Sequence, residues 1–257
     1  MSELIHVKSA RDIERMRAAC KLTAAARSVG REAVKAGLTT RQIDREIHDF
    51  IVRSGGVPSC LGYEGYPAAT CISVNEEVIH GIPGKRIVRG GDLVSIDLCV
   101  GVQGFIGDCA GTFACGEVSD EAKELMRVTR QAFFEGLKFA RAGKRVFDIG
   151  EAVQDYVESH GFSVVRDFVG HGIGRDMHEA PEVPNFRPAR GGRVNPRLIP
   201  GMTICIEPMV CAGDWQVEIL RDGWTVVTAD RSLAAHYENT VLITDGEPEI
   251  LTMAEDL

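Results

Sequence analysis

The stretch DLVSIDLCVGVQGFIGDCAGTF, residues 92–113, constrains this chain more than any other segment. It reads as two strands around a turn at Gly101 to Gly104, with Ile96, Leu98 and Val100 on one face and Ser95, Asp97 and Cys99 on the other. Pairing Val100 with Phe105 sets Asp97 directly opposite Asp108, with Cβ atoms ~4.5–5.5 Å apart on one face. Two like charges that close oppose the hairpin, and a hard cation between them removes the conflict. A bulge that turns one aspartate to solvent is the alternative. The hairpin alone leaves both open.

Three later segments add donors of the same kind. In GHGIGRDMHE (170–179), His171 stands between glycines, where the backbone can bend freely, and His178 follows seven residues on. GMTICIEPMV (201–210) reads as a strand that turns Glu207 away from Ile204 and Ile206. A carboxylate in such apolar company needs a partner or a metal. HYENTVLI (236–243) opens another apolar strand with Glu238. Each has a plain alternative, a structural histidine or a solvated strand-end glutamate.

Helical spacing runs over 9–36, capped by Ser9 and closed by Gly37, and over 40–53, with Ile43, Ile47, Phe50 and Ile51 on one face and Gly55-Gly56 after it. Short β-like runs follow to residue 115. Helices are expected at 119–142 and 147–160, then strands at 163–168, 202–211, 215–219, 224–229 and 236–244. Two helices followed by strands, twice over, predict an α+β architecture of two similar halves. No linker-like stretch lies near residue 117. The expectation is one domain over 1–257 with an internal pseudo-repeat.

A net charge of −8 argues against direct nucleic-acid binding. The basic stretch RPARGGRVNPR (187–197) reads as a solvated loop. The eight cysteines form no CxxC pair and several lie in apolar runs, so reduced, buried thiols are expected rather than a structural zinc site. The N-terminus has no apolar core of signal-peptide length and no apolar run suits a membrane span. A cytoplasmic monomer is the expectation.

Together CISVNEEVIHGIP, SIDLCV with FIGDC, GHGIGRDMHE, GMTICIEPMV and DRSLAAHYENTVLIT resemble the type I methionine aminopeptidases of the pita-bread fold, with the match running from about Ser9 to Met253. The resemblance implies antiparallel sheets covered by helices in pseudo-twofold related halves. It implies metal ligands at Asp97, Asp108, His171, Glu207 and Glu238, with Asp108 and Glu238 bridging two ions. Four carboxylates balance two divalent cations, for which manganese, cobalt or iron suits the oxygen-rich set. A monovalent cation near Asn75 is implied as well. The implied reaction is hydrolysis of the first peptide bond of chains that begin with Met and have a small second residue. Glu207 is the implied proton shuttle, while His178 and His80 contact the peptide. Cys60, Tyr63, Tyr66, Cys71, Met177 and Trp224 would line the methionine pocket with those two histidines. Implied partners are nascent N-termini, with the ribosome as a further candidate.

Departures from the family pattern fall at Ile106, Cys109, Met177 and Asn239, and none removes a ligand. The long insertion of type II relatives does not fit between His178 and Glu207. Two rival readings are a proline-specific peptidase of the same fold, which usually carries a large extra N-terminal domain, and a non-catalytic binding protein that keeps the fold.

Overall fold

The computed structural model describes residues 4–189, 191 and 194–253. Arg190, Gly192 and Arg193 of the basic 187–197 stretch lie outside the described residues.

Four helices carry the apolar spacing seen in the sequence: α1 (Ala10–Ala33), α2 (Thr40–Arg53), α3 (Asp120–Leu137) and α4 (Val146–Ser159). Ser9 caps α1 by accepting the Asp12 N–H, and Thr39 with Gln42 closes a capping box on α2. Ile43, Ile47 and Ile51 are fully buried on α2. Helix α1 ends at Ala33 rather than 36 because the chain is already committed elsewhere: the Gly37 and Thr40 amides donate to Val88 and Arg86 carbonyls. Helix α3 stops at Leu137 rather than 142, where tighter turns at Phe139 and Ala140 replace helical bonding.

The strands of the first half are β1 (Val57–Pro58), β2 (Cys71–Val74), β3 (Glu77–Ile79), β4 (Leu93–Val102) and β5 (Phe105–Ala114). The second half supplies β6 (Ser163–Val164), β7 (Gly170–Gly172), β8 (Glu179–Val183), β9 (Thr203–Ile206), β10 (Met209–Cys211), β11 (Val217–Ile219), β12 (Val226–Thr228), β13 (Ala234–His236), β14 (Glu238–Leu242) and β15 (Glu249–Ile250). Among the described residues a nine-stranded sheet runs β1-β4-β5-β14-β9-β7-β8, with β2 beside β4 and β15 beside β14. It joins both halves edge to edge through β5 and β14. Two three-stranded sheets, β13-β10-β6 and β11-β12-β3, complete the set. Ile72, Ile96, Leu98 and Val100 pack with α1 and α2 residues; Ile204, Ile206 and Val241 pack with α3 and α4 residues.

The β4–β5 register differs from the expected one. Val102 pairs with Phe105, so Asp97 faces Ala110 and Asp108 faces Cys99. The turn is two residues, Gln103 and Gly104, both with positive φ (52° and 77°). Such a loop matches the right-handed twist of the strands, which a four-residue turn here does not require. The shift is two residues in total, so both aspartates keep the same face and become diagonal neighbours. Repulsion between them is relaxed, not removed.

Two expected strands break. The 202–211 run splits at Glu207-Pro208 into β9 and β10, and 236–244 splits at Tyr237 into β13 and β14. At the first break the chain leaves the large sheet for a small one, and at the second it returns from the small sheet to the large one. The 163–168 strand shortens to two residues. All eight cysteines are buried and free. Among the described residues no helix is long and apolar enough to cross a membrane.

Candidate active site

The break at Glu207 frees its side chain from the strand alternation. Asn185 holds the backbone there from both sides: its amide nitrogen donates to the Glu207 carbonyl at 3.1 Å and its oxygen accepts the Glu207 N–H at 3.3 Å. His171 lies inside β7, so the flanking glycines do not serve as hinges. A Cβ at Gly170 would sit 2.3 Å from the Cys205 carbonyl oxygen, and one at Gly172 would sit 2.3 Å from that of Ala180. Close backbone approach on both sides of His171 is the reason for glycine. Glu238 opens β14 beside Ala110 of β5. Behind it, fully buried Arg27 of α1 donates to the carbonyls of Ala110, Glu238 and Thr252 and to the Asn239 Oδ1.

These elements bring every expected metal ligand and pocket residue to one cavity of about 210 Å³: Asp97, Asp108, His171, Glu207 and Glu238, with Cys60, Tyr63, Tyr66, Cys71, His80, Met177, His178 and Trp224, whereas Asn75 lies outside it, at a φ of 59° with its side-chain nitrogen donating to Asp92. The same wall holds five residues that the sequence reading passed over, Glu64, Ile79, Cys99, Phe168 and Val169. Cys99 shares its strand face with Asp97, so alternation could have found it. The others sit in irregular segments or on a strand end with no periodic signal.

The carboxylates occupy an unfavourable environment. Burial, then the neighbouring Asp108 charge, pushes the Asp97, Glu207 and Glu238 carboxyls well above the usual range. Asp108 is pushed up to about 7, chiefly by burial. Asp108 Oδ1, Glu207 Oε1 and Glu238 Oε1 are buried and accept no hydrogen bond among the described residues. Buried carboxylate oxygens without donors are costly unless a cation meets them. His171 faces the same point, with Nε2 at 3.5 Å from Glu207 Oε1 and 3.8 Å from Asp108 Oδ2. Its Nδ1 lies 2.9 Å from the Gly172 carbonyl oxygen. Burial lowers its pKa to about 3. The ring is therefore neutral: Nδ1–H donates to the carbonyl, and the Nε2 lone pair points at the carboxylates, the form in which histidine binds a metal.

Ligand atoms of Asp108, His171, Cys205 and Glu238 lie within 4.8 Å of one another. Cys205 was not expected there. Its thiol is held protonated, first by burial and then by the Glu238 and Asp108 charges. It sits 3.7 Å from Thr240 Oγ1. The group as a whole is a candidate metal centre rich in oxygen donors.

Beyond the carboxylates the cavity turns aromatic. The Tyr66 and Trp224 rings meet edge to face at 5.1 Å, and the Tyr66 hydroxyl donates to the Gly81 and Thr70 carbonyls. Cys60, Cys71 and Met177 are buried beside them. His80 packs edge-on against Phe168 at 5.8 Å and holds φ at +58°, a strained setting for a non-glycine residue. The Tyr63 hydroxyl lies 2.6 Å from His178 Nδ1, and the His178 ring stands 4.3 Å from that of His171. Burial lowers the pKa of both His80 and His178.

Of the departing residues, Met177 lines this cavity. Cys109 is fully buried behind it, its thiol pushed up to about 12 by burial and placed 3.7 Å from the Thr23 carbonyl. Asn239 accepts from Arg27 and Thr252. Ile106 is partly buried, and its N–H donates to the Gly174 carbonyl.

Residues 14–245 match the model of metallopeptidase family M24. The chain is 50% identical over 254 residues to a methionine aminopeptidase of Clostridium acetobutylicum, covering 98% of this chain and 100% of that one. It is 43% identical over 249 residues to methionine aminopeptidase 1 of Bacillus subtilis, covering 97% and 99%. Its fold matches that of the methionine aminopeptidase of Thermotoga maritima with a TM-score of 0.93 at 43% identity, over 98% of this chain and 100% of that one. The prolidase of Pyrococcus furiosus matches at 0.78 and 20% identity, over 97% of this chain and 66% of that one. That last likeness concerns the fold alone.

Proposed function

The chain belongs to the methionine aminopeptidases of metallopeptidase family M24, and on that premise we propose that it removes the N-terminal methionine of nascent chains whose second residue is small. The observation that carries this reading is the set of three buried, donorless carboxylate oxygens facing a neutral histidine, next to an aromatic and sulfur-lined recess.

Asp97, Asp108, His171, Glu207 and Glu238 would hold two divalent ions, of manganese, cobalt or iron. When bound, such ions supply Lewis acidity for the first peptide carbonyl and acidify the attacking water. Cys205 stays a protonated neighbour. With the ions in place Glu207 is ionised, and it takes a proton from the attacking water and returns it to the leaving amine. Neutral His178 accepts the Tyr63 hydroxyl at Nδ1, which leaves Nε2–H to donate to the carbonyl oxygen as negative charge develops. His80 contacts the peptide at the scissile nitrogen.

Methionine fits the recess because an unbranched thioether adapts to it and its sulfur favours ring edges such as those of Tyr66 and Trp224. Crowding by His80 and Phe168 beside the carboxylates favours a small second residue. The nine-stranded sheet that draws on both halves supports reading 1–257 as one catalytic domain. A cytoplasmic monomer that meets nascent chains at the ribosome, with a monovalent cation bound near Asn75, completes the reading.

The test is release of methionine from Met-Ala-Ser against leucine from Leu-Ala-Ser, using chelator-stripped protein supplied with Mn(II), Co(II) or Fe(II). Metal-dependent release from the first peptide, lost in Asp108→Ala, is expected. Folded protein that releases nothing with any of the three metals would sink the reading and leave a binding protein on a peptidase fold.

A further inference from the structure

A second cavity of about 470 Å³ opens between α1, α3 and the β5 edge, and it shares no lining residue with the first. Arg31, Lys123, Arg127 and Arg130 line it, all exposed, and among the described residues no aspartate or glutamate does. In a chain with net charge −8, four converging cations run against the average surface. Lys123 lies 3.6 Å from both Glu117 and Asp120, and Arg127 lies 2.6 Å from Glu124. The lysine pairs are exposed and hold weakly, while Arg127 is tied more firmly, with two donors on the Glu124 carboxylate and one on the Tyr156 hydroxyl for which an incoming anion must compete. Arg130 makes no ion pair among the described residues; its guanidinium lies over the Phe134 and Tyr237 rings at 5.2 and 6.0 Å.

The inner wall is apolar and flat, formed by Phe113 and Tyr237. Tyr237 is 5% exposed, yet among the described residues its hydroxyl has no hydrogen-bond partner. A buried hydroxyl in that state carries a desolvation cost.

The geometry points to a binding site for a small phosphate ester with an aromatic body, of the mononucleotide class. A doubly charged head meets the arginines and Lys123, which favour phosphate through charge-assisted bonds. The ring lies along Phe113, beside the Tyr237 ring that Arg130 already covers. A polymer would find no continuing basic track among these residues, and a simple inorganic anion would leave the apolar wall in water. Tyr237 directly precedes Glu238, so an occupant touches the strand that enters the first cavity. The assignment stands whether or not Glu238 holds a metal.

Adenosine monophosphate is the probe, with adenosine and inorganic phosphate as controls, measured by equilibrium dialysis against the metal-loaded enzyme at low salt. Saturable binding of the monophosphate is expected, with each control weaker by about tenfold or more, which is about 1.4 kcal/mol. The Arg127→Glu/Arg130→Glu double variant should lose about tenfold in affinity and keep its methionine release, while Asp97→Asn should bind the probe as the parent does. Lys123→Glu, on an exposed side chain, repeats the test should the double variant misfold. The site is overturned by no saturable binding, by phosphate binding as well as the ester, or by affinity that survives the charge reversals but falls in Asp97→Asn. The last outcome would put the probe at the carboxylates.

Discussion

Arg27 is the residue whose role is largest relative to its visibility. It is fully buried, has no carboxylate partner among the described residues, and spends its donors on carbonyls of β5, β14 and the C-terminal segment and on Asn239. A guanidinium against four neutral acceptors fixes where Glu238 starts its strand. Arg27→Ala leaves those acceptors buried and unmet, and a loss of ~3 kcal/mol is expected in urea unfolding. A change below about 1 kcal/mol would mean that water replaces the guanidinium without penalty. Tyr63 acts on a smaller scale. Tyr63→Phe removes the hydroxyl that sets the His178 ring, so kcat should fall roughly tenfold, the value of one good hydrogen bond. KM for Met-Ala-Ser should hardly move. An unchanged kcat would remove Tyr63 from the positioning of His178.

Among the elements, the β4–β5 hairpin and α1 are built as one piece. Gly107, next to Asp108, lies against α1 so closely that a Cβ would stand 2.7 Å from Cys20 Cα and 2.8 Å from Cys20 N. Backbone cannot retreat as a flexible side chain can. Gly107→Ala should therefore push β5 from α1, at a cost of about 1–3 kcal/mol. Metal affinity should drop with it, because Asp108 moves too. Thermal melting and metal titration check the two effects separately; a normal melting temperature with normal metal binding would show that the helix accommodates the methyl group. The same logic of close approach, rather than flexibility, explains the glycines around His171.

For the whole molecule the decisive quantity is the charge gathered at the sheet centre. In metal-free protein Asp97, Glu207 and Glu238 keep protons well above the usual range, and Asp108 does so to about 7. The unfolded chain releases those protons near pH 4. A raised carboxyl thus stabilises the fold below its unfolded pKa, and that contribution is lost as pH climbs through the folded one. His171 and His236, lowered to about 3 by burial, act in the opposite sense below the ordinary histidine value of about 6.5 and not above it. The two effects oppose each other below about pH 6.5; above it the carboxyls act alone until, toward about pH 9, the buried thiols that burial also pushes up add a loss in the same direction. The melting temperature of chelator-treated protein should fall by several degrees between pH 7 and 9, while that of protein supplied with Mn(II) should fall less. A rising melting temperature for the stripped protein over that range would contradict the protonated state of the four acids.

The sequence alone determined the element order, the helix faces and the shared face of Asp97 and Asp108, because periodicities of 3.6 and 2 are local properties of the chain. Resemblance to a family then marked His171, Glu207 and Glu238, and the fold carries all of them to one cavity with His80, His178 and the pocket residues. Tertiary structure decided what no local pattern encodes. The hairpin register turned on a two-residue loop with two positive φ angles. The break at Glu207-Pro208 follows from one strand serving two sheets and from the grip of Asn185, 22 residues away. Arg27 reads as a solvated helix residue until β5, β14 and Thr252 close around it. Cys205 and Phe168 reach the site only because distant segments fold over one another. Contacts between residues far apart in the chain depend on how sheets stack and where backbones approach, and those are settled by packing rather than by spacing along the sequence.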